Sequence, residues 1–351
     1  MAETYSDLPC YVETVPGIEE VAWIEIRDRF PQAGFGDFLF AKDERGVVLF
    51  EHNGTLPALY DLRTIESAFL AGAHMAKISR GYRDLRQLRE QMVSRGDFGR
   101  AVNALSRYRR RQITTYRLIG KKYGRHEYNR TQFRQAVIQG IEALYPQWQR
   151  VQKDADVEIW ANVFGSSILI GLHLPPPRRR VAARRKGLSL IPDSLAAAMV
   201  LLTEPQDADL FLDPHCENGA LLAARLASPA HLVFGGSALS PDVAGVAADP
   251  DVRAPVLHWD AGALPLAGGS VNKVATRFAP VVEGQAAARY AGWLGELQRV
   301  LRDGGLAVIL TREYDLFKDV IRDFPALQIR GGYSVTVARE WGRLYLVQRK
   351  G

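Results

Sequence analysis

Ten residues, Phe211-Leu-Asp-Pro-His-Cys-Glu-Asn-Gly-Ala220, constrain the fold of this chain more than any others. A helical stretch, Asp193 to Thr203, precedes them; a short apolar strand pattern ends at Asp213; and a glycine turn leads into a second helical stretch, Leu221 to Leu226. A strand–turn–helix unit of this kind points the free N–H groups of a helix start at the carboxyl edge of a parallel sheet, where ligands bind. Turns that let a ligand approach closely carry several glycines, because backbone without a Cβ leaves room. Here Gly219 remains, and Glu217 stands where a second glycine would be expected.

The surrounding segment, 187–351, alternates strand and helix patterns as a doubly wound sheet does. Strands are expected at Leu210–Asp213, Leu232–Gly235, Val256–Trp259, Val271–Thr276 and Gly305–Thr311, with two late ones at Tyr333–Arg339 and Leu344–Gln348. The clearest helix runs from Gln285 to Leu301 and stops at Arg302-Asp303-Gly304-Gly305. The two late strands have no helix between them, which predicts an antiparallel pair at the edge of the sheet.

Two further segments precede it, as 351 residues require more than one core. In the first, about 1–66, a strand (Cys10–Val15), a Pro16-Gly17 turn, a helix (Ile18–Phe30), a strand (Gly46–Glu51), an Asn53-Gly54 turn and a helix start (Leu56–Leu62) suggest a small α+β module. In the second, about 67–175, the pattern gives a charged helix (Arg83–Ser94) and a strand (Gln112–Ile119). A basic loop leads to a helix, Thr131 to Leu144, with Thr131 as its N-cap. A hairpin, Asp156–Phe164 with Ser167–Leu174, follows around Gly165-Ser166. Residues 176–186 begin within Pro175-Pro-Pro-Arg-Arg-Arg180, a stiff basic linker.

Net charge is +6, but its distribution matters more. Arg107, Arg109, Arg110, Arg111, Arg117, Lys121, Lys122, Arg125, Arg130 and Arg134 face a single acid, Glu127, and six more cations lie between Arg178 and Lys186. Such a field suits a polyanion, since phosphate neutralised by Lys and Arg releases condensed counterions. Tyr108, Tyr116, Tyr123, His126 and Tyr128 are interleaved with these bases and are expected to offer stacking surfaces, so the implied polyanion is a nucleic acid. Two cysteines, Cys10 and Cys216, make neither a disulfide framework nor a metal motif, and seven histidines form no metal-ligand cluster. The N-terminus lacks a signal-peptide pattern, and no apolar run approaches the roughly 18 residues of a membrane span. These features predict a cytoplasmic protein with no metal site and no membrane partner.

On these residues the chain resembles the THUMP-containing class I RNA methyltransferases, which use S-adenosylmethionine and make N2-methylguanosine in tRNA or rRNA. Val15-Pro-Gly-Ile-Glu-Glu20 is similar to the opening turn and helix of that family's ferredoxin-like domain. Tyr116 to Arg130, the helix after it and Asp156 to Leu174 resemble the THUMP core. Gly187-Leu-Ser-Leu-Ile-Pro-Asp-Ser-Leu-Ala196 resembles the entry to the methyltransferase domain, and Leu294 to Gly305 its helix and Gly-Gly turn. The resemblance implies an α/β plus α+β chain: an N-terminal ferredoxin-like domain (1–66), a THUMP RNA-binding domain (67–175), the linker (176–186) and a Rossmann-like methyltransferase sheet with an antiparallel edge (187–351). Its implied RNA-binding residues are Arg107, Arg109, Arg110, Arg111, Lys121, Lys122, Arg125, Arg130 and Arg134, with tRNA as the expected RNA.

The family's cofactor motif, Asp-Pro-x-Cys-Gly-Ser-Gly-Thr, is matched by Asp213, Pro214, Cys216 and Gly219 and departed from at Glu217, Asn218 and Ala220. Asp260 matches the residue that meets the adenine amino group, while Ala238 has lost the acid that holds the ribose. The catalytic motif, Asn-Pro-Pro-Tyr-like, falls on Thr276-Arg-Phe-Ala-Pro-Val-Val-Glu-Gly284. Arg277 stands where the Asn should be, and a guanidinium, having donors only, cannot accept from an amine. Phe278 occupies the place of the base-stacking aromatic. His215 reads as a turn residue, and Glu313 and Asp315 as loop charges. The expectation is an RNA-binding protein of this architecture with a degenerate catalytic domain and weak or absent S-adenosylmethionine binding. The alternatives are an active guanine-N2 methyltransferase using atypical groups such as Asn218 and Phe278, and a non-catalytic partner subunit.

Overall fold

A computed structural model describes residues 4–41, 44–176, 191–278 and 284–351. The basic tract Arg178–Lys186, the segment from Gly187 to Leu190 and the middle of the expected catalytic motif lie outside the described residues. The chain divides into two compact units, residues 1–183 and 184–351.

The first unit is built on one eight-stranded sheet. Its strands are β1 (Thr4–Thr14), β2 (Gly34–Ala41), β3 (Arg45–Thr55), β4 (Ser67–Met75), β5 (Thr115–Tyr123), β6 (Gln149–Arg150), β7 (Val157–Phe164) and β8 (Ser167–Leu174). Their order is β2-β3-β1-β4-β8-β7-β5-β6, antiparallel except where β5 runs beside β6 and β7. Four helices cover one face: α1 (Glu19–Arg29), α2 (Arg83–Ser94), α3 (Asp97–Arg109) and α4 (Arg130–Leu144). Period-two alternation decides which side chains meet them. Cys10 and Val12 join the helix-side core with Ile26, Met92 and Phe133, whereas Tyr11 between them joins a smaller cluster with Leu49, Phe69 and Leu169. β4 pairs with both β1 and β8, so the expected boundary at 66/67 falls between strands of one continuous sheet.

Three local expectations are corrected. Asn53-Gly54 does not turn the chain but continues β3: the Asn53 amide donates to the Gln32 carbonyl at 2.9 Å and accepts from the Asp7 N–H at 3.0 Å, stitching the irregular start of β1. The strand expected to end at Ile119 runs on as β5 to Tyr123, because its parallel neighbour β7 continues to Phe164 beside it. The cap of α4 is Asn129, not Thr131; Asn129 and Gln132 form a reciprocal capping box.

The second unit carries a seven-stranded sheet of β9 (Leu210–Asp213), β10 (Leu232–Ser237), β11 (Val256–His258), β12 (Val271–Arg277), β13 (Leu301–Thr311), β14 (Leu327–Val337) and β15 (Glu340–Arg349). The order is β11-β10-β9-β12-β13-β15-β14, with β11 to β13 parallel and β15 antiparallel to both of its neighbours. The antiparallel edge expected from the sequence is therefore present. Its helices are α5 (Asp193–Leu201), α6 (Ala220–Leu226), α7 (Ser240–Ala247), α8 (Ala286–Val300) and α9 (Tyr314–Val320). Leu212, Val274 and Ile309 on the sheet pack against Tyr290, Leu294 and Phe317 of α8 and α9. Strand order reverses between β9 and β12, and in open α/β sheets that switch opens a crevice at the carboxyl ends of the strands.

Candidate functional site

Two loops converge at that crevice: the turn from β9 into α6, and the end of β12. The turn keeps the backbone of a glycine-rich loop. Gly219 is left-handed at φ 73°, and a Cβ there would lie 2.9 Å from Val246. Glu217 also has a positive φ, 39°, a conformation that a glycine adopts without strain and a glutamate does not. At the end of β10, a Cβ on Gly236 would lie 2.4 Å from the Trp259 ring, and the Trp259 indole donates to the Pro214 carbonyl at 3.1 Å. Close approach of β9, β10 and the residue after β11 thus depends on that glycine.

Glu217 and Arg277 meet across the crevice. The Arg277 Nε and Nη2 both donate to Glu217 Oε1, at 2.8 and 2.5 Å, and the Arg277 and Glu217 side chains are only 10% and 18% exposed. Glu217 Oε2 is buried and has no hydrogen-bond partner among the described residues. Burial raises the Glu217 carboxyl, the Arg277 guanidinium opposes that rise, and Asp242 adds to it. Asp213, sealed behind the turn, is pushed up to about 8, first by burial and then by the Glu217 charge. Its carboxylate accepts from the His215 N–H at 3.2 Å and hydrogen-bonds Thr276. His215 is brought down to about 4, chiefly by burial; its ring stands edge-on to Trp293 and its Nδ1 lies 3.3 Å from the Thr276 hydroxyl. At neutral pH this pocket therefore holds a protonated Asp213, a neutral His215 and one internal ion pair.

The other expected cofactor positions fare unevenly. Pro214 and Cys216 are buried in the turn; burial raises the Cys216 thiol, and its N–H donates to the Gly236 carbonyl. Asp260 is exposed and accepts from the N–H of Gly262 at 2.8 Å. In place of a ribose-holding acid after β10, the Ser237 hydroxyl donates to Asp242 at 2.8 Å and Ala238 is exposed. Asn218 accepts from the N–H of Ala220 at the start of α6. Phe278, expected to face a base, is 3% exposed and packed among Tyr290, Trp293 and Phe317, so its ring is core.

In the first unit the basic tract is split. Arg109 donates to the Asp156 carbonyl oxygen, and Arg111 pairs with the Asp156 carboxylate at 2.5 Å. Burial would raise that carboxyl, but hydrogen bonds from Thr114 and Thr115 outweigh it and hold it at about 2. Lys121 pairs with Glu44 at 3.7 Å, Lys122 donates to the Gly124 carbonyl, Arg134 to that of Leu118, and Arg117 pairs with Glu158. Arg107 is exposed on α3. Arg110, Arg125 and Arg130 are exposed, and their side chains form no ion pair or hydrogen bond among the described residues. Nine residues of β5, spanning roughly 30 Å, separate the Arg109–Arg111 group from the Arg125–Arg130 group. The aromatics expected to stack on bases are not open surfaces. Tyr116 and Tyr128 are core, while Tyr108, Tyr123 and His126 are half-buried and hydrogen-bonded to Pro175, Glu44 and Gly165.

Sequence reasoning singled out Glu217 and Arg277 separately but missed their contact. The available signal was that two departures of opposite charge sit on loops that a doubly wound sheet brings together.

No family model matches the chain. A bovine (Bos taurus) relative, tRNA (guanine(6)-N(2))-methyltransferase THUMP3, is 26% identical over 199 residues, covering 49% of this chain. The chain spans 39% of that relative's length. TrmN from Thermus thermophilus superimposes with a TM-score of 0.72 at 18% identity, over 97% of this chain and 99% of that one. The SMU.472 protein, solved in complex with S-adenosylhomocysteine, gives 0.64 at 13% identity over 100% and 99%. The resemblance read from the sequence is thus borne out as far as these likenesses reach: the chain shares the fold of TrmN and of the SMU.472 protein over almost its whole length, and about half of it is similar in sequence to a THUMP-type tRNA guanine-N2 methyltransferase.

Proposed function

We propose that this chain is an RNA-binding protein, with tRNA as its RNA, whose methyltransferase-type unit does not methylate an amine. The observation that carries the second half is the Glu217–Arg277 pair. It places a carboxylate where the turn would otherwise lie bare against the amino-acid end of S-adenosylmethionine. It also places a donor-only guanidinium where an amine would need an acceptor. The loss of an acid at Ala238 and the burial of Phe278 act in the same direction. The residues present therefore do not fit the methyl donor, and no chemical step is derived through it.

RNA binding is supported by the exposed Arg110, Arg125 and Arg130 and by the relative that is a tRNA methyltransferase. Arg109 and Arg111 are poor probes, since both hold Asp156. Replacing Arg110, Arg125 and Arg130 together with Ala is expected to weaken tRNA binding and flatten its dependence on salt by up to three counterion equivalents, read by fluorescence anisotropy at several salt concentrations. An unchanged slope would remove the RNA reading. Calorimetry with S-adenosylmethionine is expected to show no heat of binding at millimolar ligand; tight binding would remove the closed-crevice reading. A second reading, an active guanine-N2 methyltransferase, is favoured by one observation, the preserved positive-φ backbone at 217 and 219. Methylated tRNA accumulating with purified protein, and lost on Asp260→Ala, would establish it.

A further inference from the structure

Glu217 and Arg277 lie 60 residues apart, their charges are opposite, and Glu217 holds a positive φ of 39° that glycine would adopt more readily. We propose that they form one compensating unit, an internal latch that supplies from within the chain the paired charges of an amino-acid-like ligand group and fills its place. This rests on the closed-crevice reading given above and adds that the two departures are energetically inseparable.

Three observations support the latch. The first is geometric: both nitrogens of the guanidinium edge converge on one carboxylate oxygen, with both side chains mostly out of water. A buried charge that loses its partner is strongly destabilising, more so than losing the pair as a whole. The second is the surroundings. Without Arg277, Glu217 would stand as an unpaired, mostly buried acid near Asp242, whose charge already pushes its carboxyl up. Without Glu217, Arg277 would border a cleft lined by Phe278, Leu310, Thr311 and Val337, with Arg312 as a second cation; the acid there, Glu340, is already paired with Arg312. The third is the backbone. Residue 217 sits at φ 39°, so the turn still has the shape that glycine takes, and a glycine can be restored without remodelling it.

The test uses the full chain in four forms: wild type, Glu217→Gly, Arg277→Asn and the double variant. Thermal unfolding and calorimetric titration with S-adenosylhomocysteine are measured on each. Each single substitution is expected to lower the unfolding midpoint by ~5–10 °C. The double variant is expected to recover at least half of the summed loss, and it alone is expected to bind S-adenosylhomocysteine, under conditions where the wild type gives no heat of binding. A double variant that loses as much as the two singles combined, that does not fold, or that gains no binding overturns the latch. The isosteric set Glu217→Gln, Arg277→Met and both repeats the additivity test with milder changes, and additive losses there also overturn it. The two readings fail differently. Binding of S-adenosylhomocysteine by the wild type overturns the closed crevice and the latch together, whereas additive losses with a non-binding wild type overturn the latch alone.

Discussion

Asp213 ends β9 with its carboxyl shut away from water, and its proton is held at neutral pH by burial and by the charge of Glu217. An unfolded chain would release that proton from an ordinary carboxyl near pH 3.8, while the folded chain keeps it until about 8. Below the lower value both states are protonated and the group's contribution to stability is complete. Between the two values the unfolded state binds fewer protons, so stability falls as pH rises, and it levels off above about 8. Asp213→Asn is expected to remove that fall, which urea-unfolding midpoints at about pH 5, 7 and 9 would read; a slope equal to that of the wild type would show that another group is responsible. The identities of Asp213, Cys216, Gly219, Glu217 and Arg277 were all legible in the sequence as matches to, or departures from, a motif. Depth was not. A motif gives the order of residues along a turn, whereas the proton on Asp213 depends on what covers it. Phe278 shows the same limit: its motif position suggested an exposed ring, and its neighbours Tyr290, Trp293 and Phe317, from two later helices, make it core.

Elements were legible where period and boundary signals agreed. The hairpin of β7 and β8 was visible because Gly165 interrupts two apolar strand patterns, and residue 165 does adopt φ 57°. β4 was missed: Ser-Ala-Phe-Leu-Ala-Gly-Ala-His-Met is a nearly continuous apolar run, and a strand buried on both faces has no alternation to distinguish it from a helix. Burial on both faces arises because β4 lies between β1 and β8 at the centre of the sheet. The cap of α4 was placed two residues late for a different reason. Thr131 is a good cap by type, but Asn129 has a glutamine three residues on, and reciprocal bonds with Gln132 satisfy two otherwise free N–H groups. Asn129→Ala is expected to lower stability by about 1 kcal/mol, seen as a lower urea midpoint with an unchanged slope, while Thr131→Ala changes it by much less. Equal effects at the two positions would contradict the assignment of the cap.

At the scale of the whole chain, charge and architecture separate in the same way. Residues 191–351 carry 15 Lys and Arg against 18 Asp and Glu, so the part of the second unit that holds its sheet is slightly acidic. The positive excess lies before residue 191, and the tract from Arg178 to Lys186 that carries part of it spans the boundary between the two units. This partition was readable from the positions of the charges, and the division into a mixed α+β part and a doubly wound part from the strand and helix patterns. The splitting of the Arg107–Arg134 tract was not readable, because it arises when β5 carries one end of the tract away from the other. A polyanion follows the positive potential, and an acidic surface repels it with a strength that grows as salt is removed. Ultraviolet cross-linking of the intact protein to tRNA, followed by peptide mapping, is therefore expected to place most adducts before residue 191, around Arg110 and around Arg125–Arg130. Adducts in the turn after β9 or at the end of β12 should be rare, because among the described residues there Arg277 is held by Glu217 and the Phe278 ring is buried. Adducts concentrated at that crevice would mean that the RNA enters it, and the division between a binding unit and a closed catalytic unit would have to be given up.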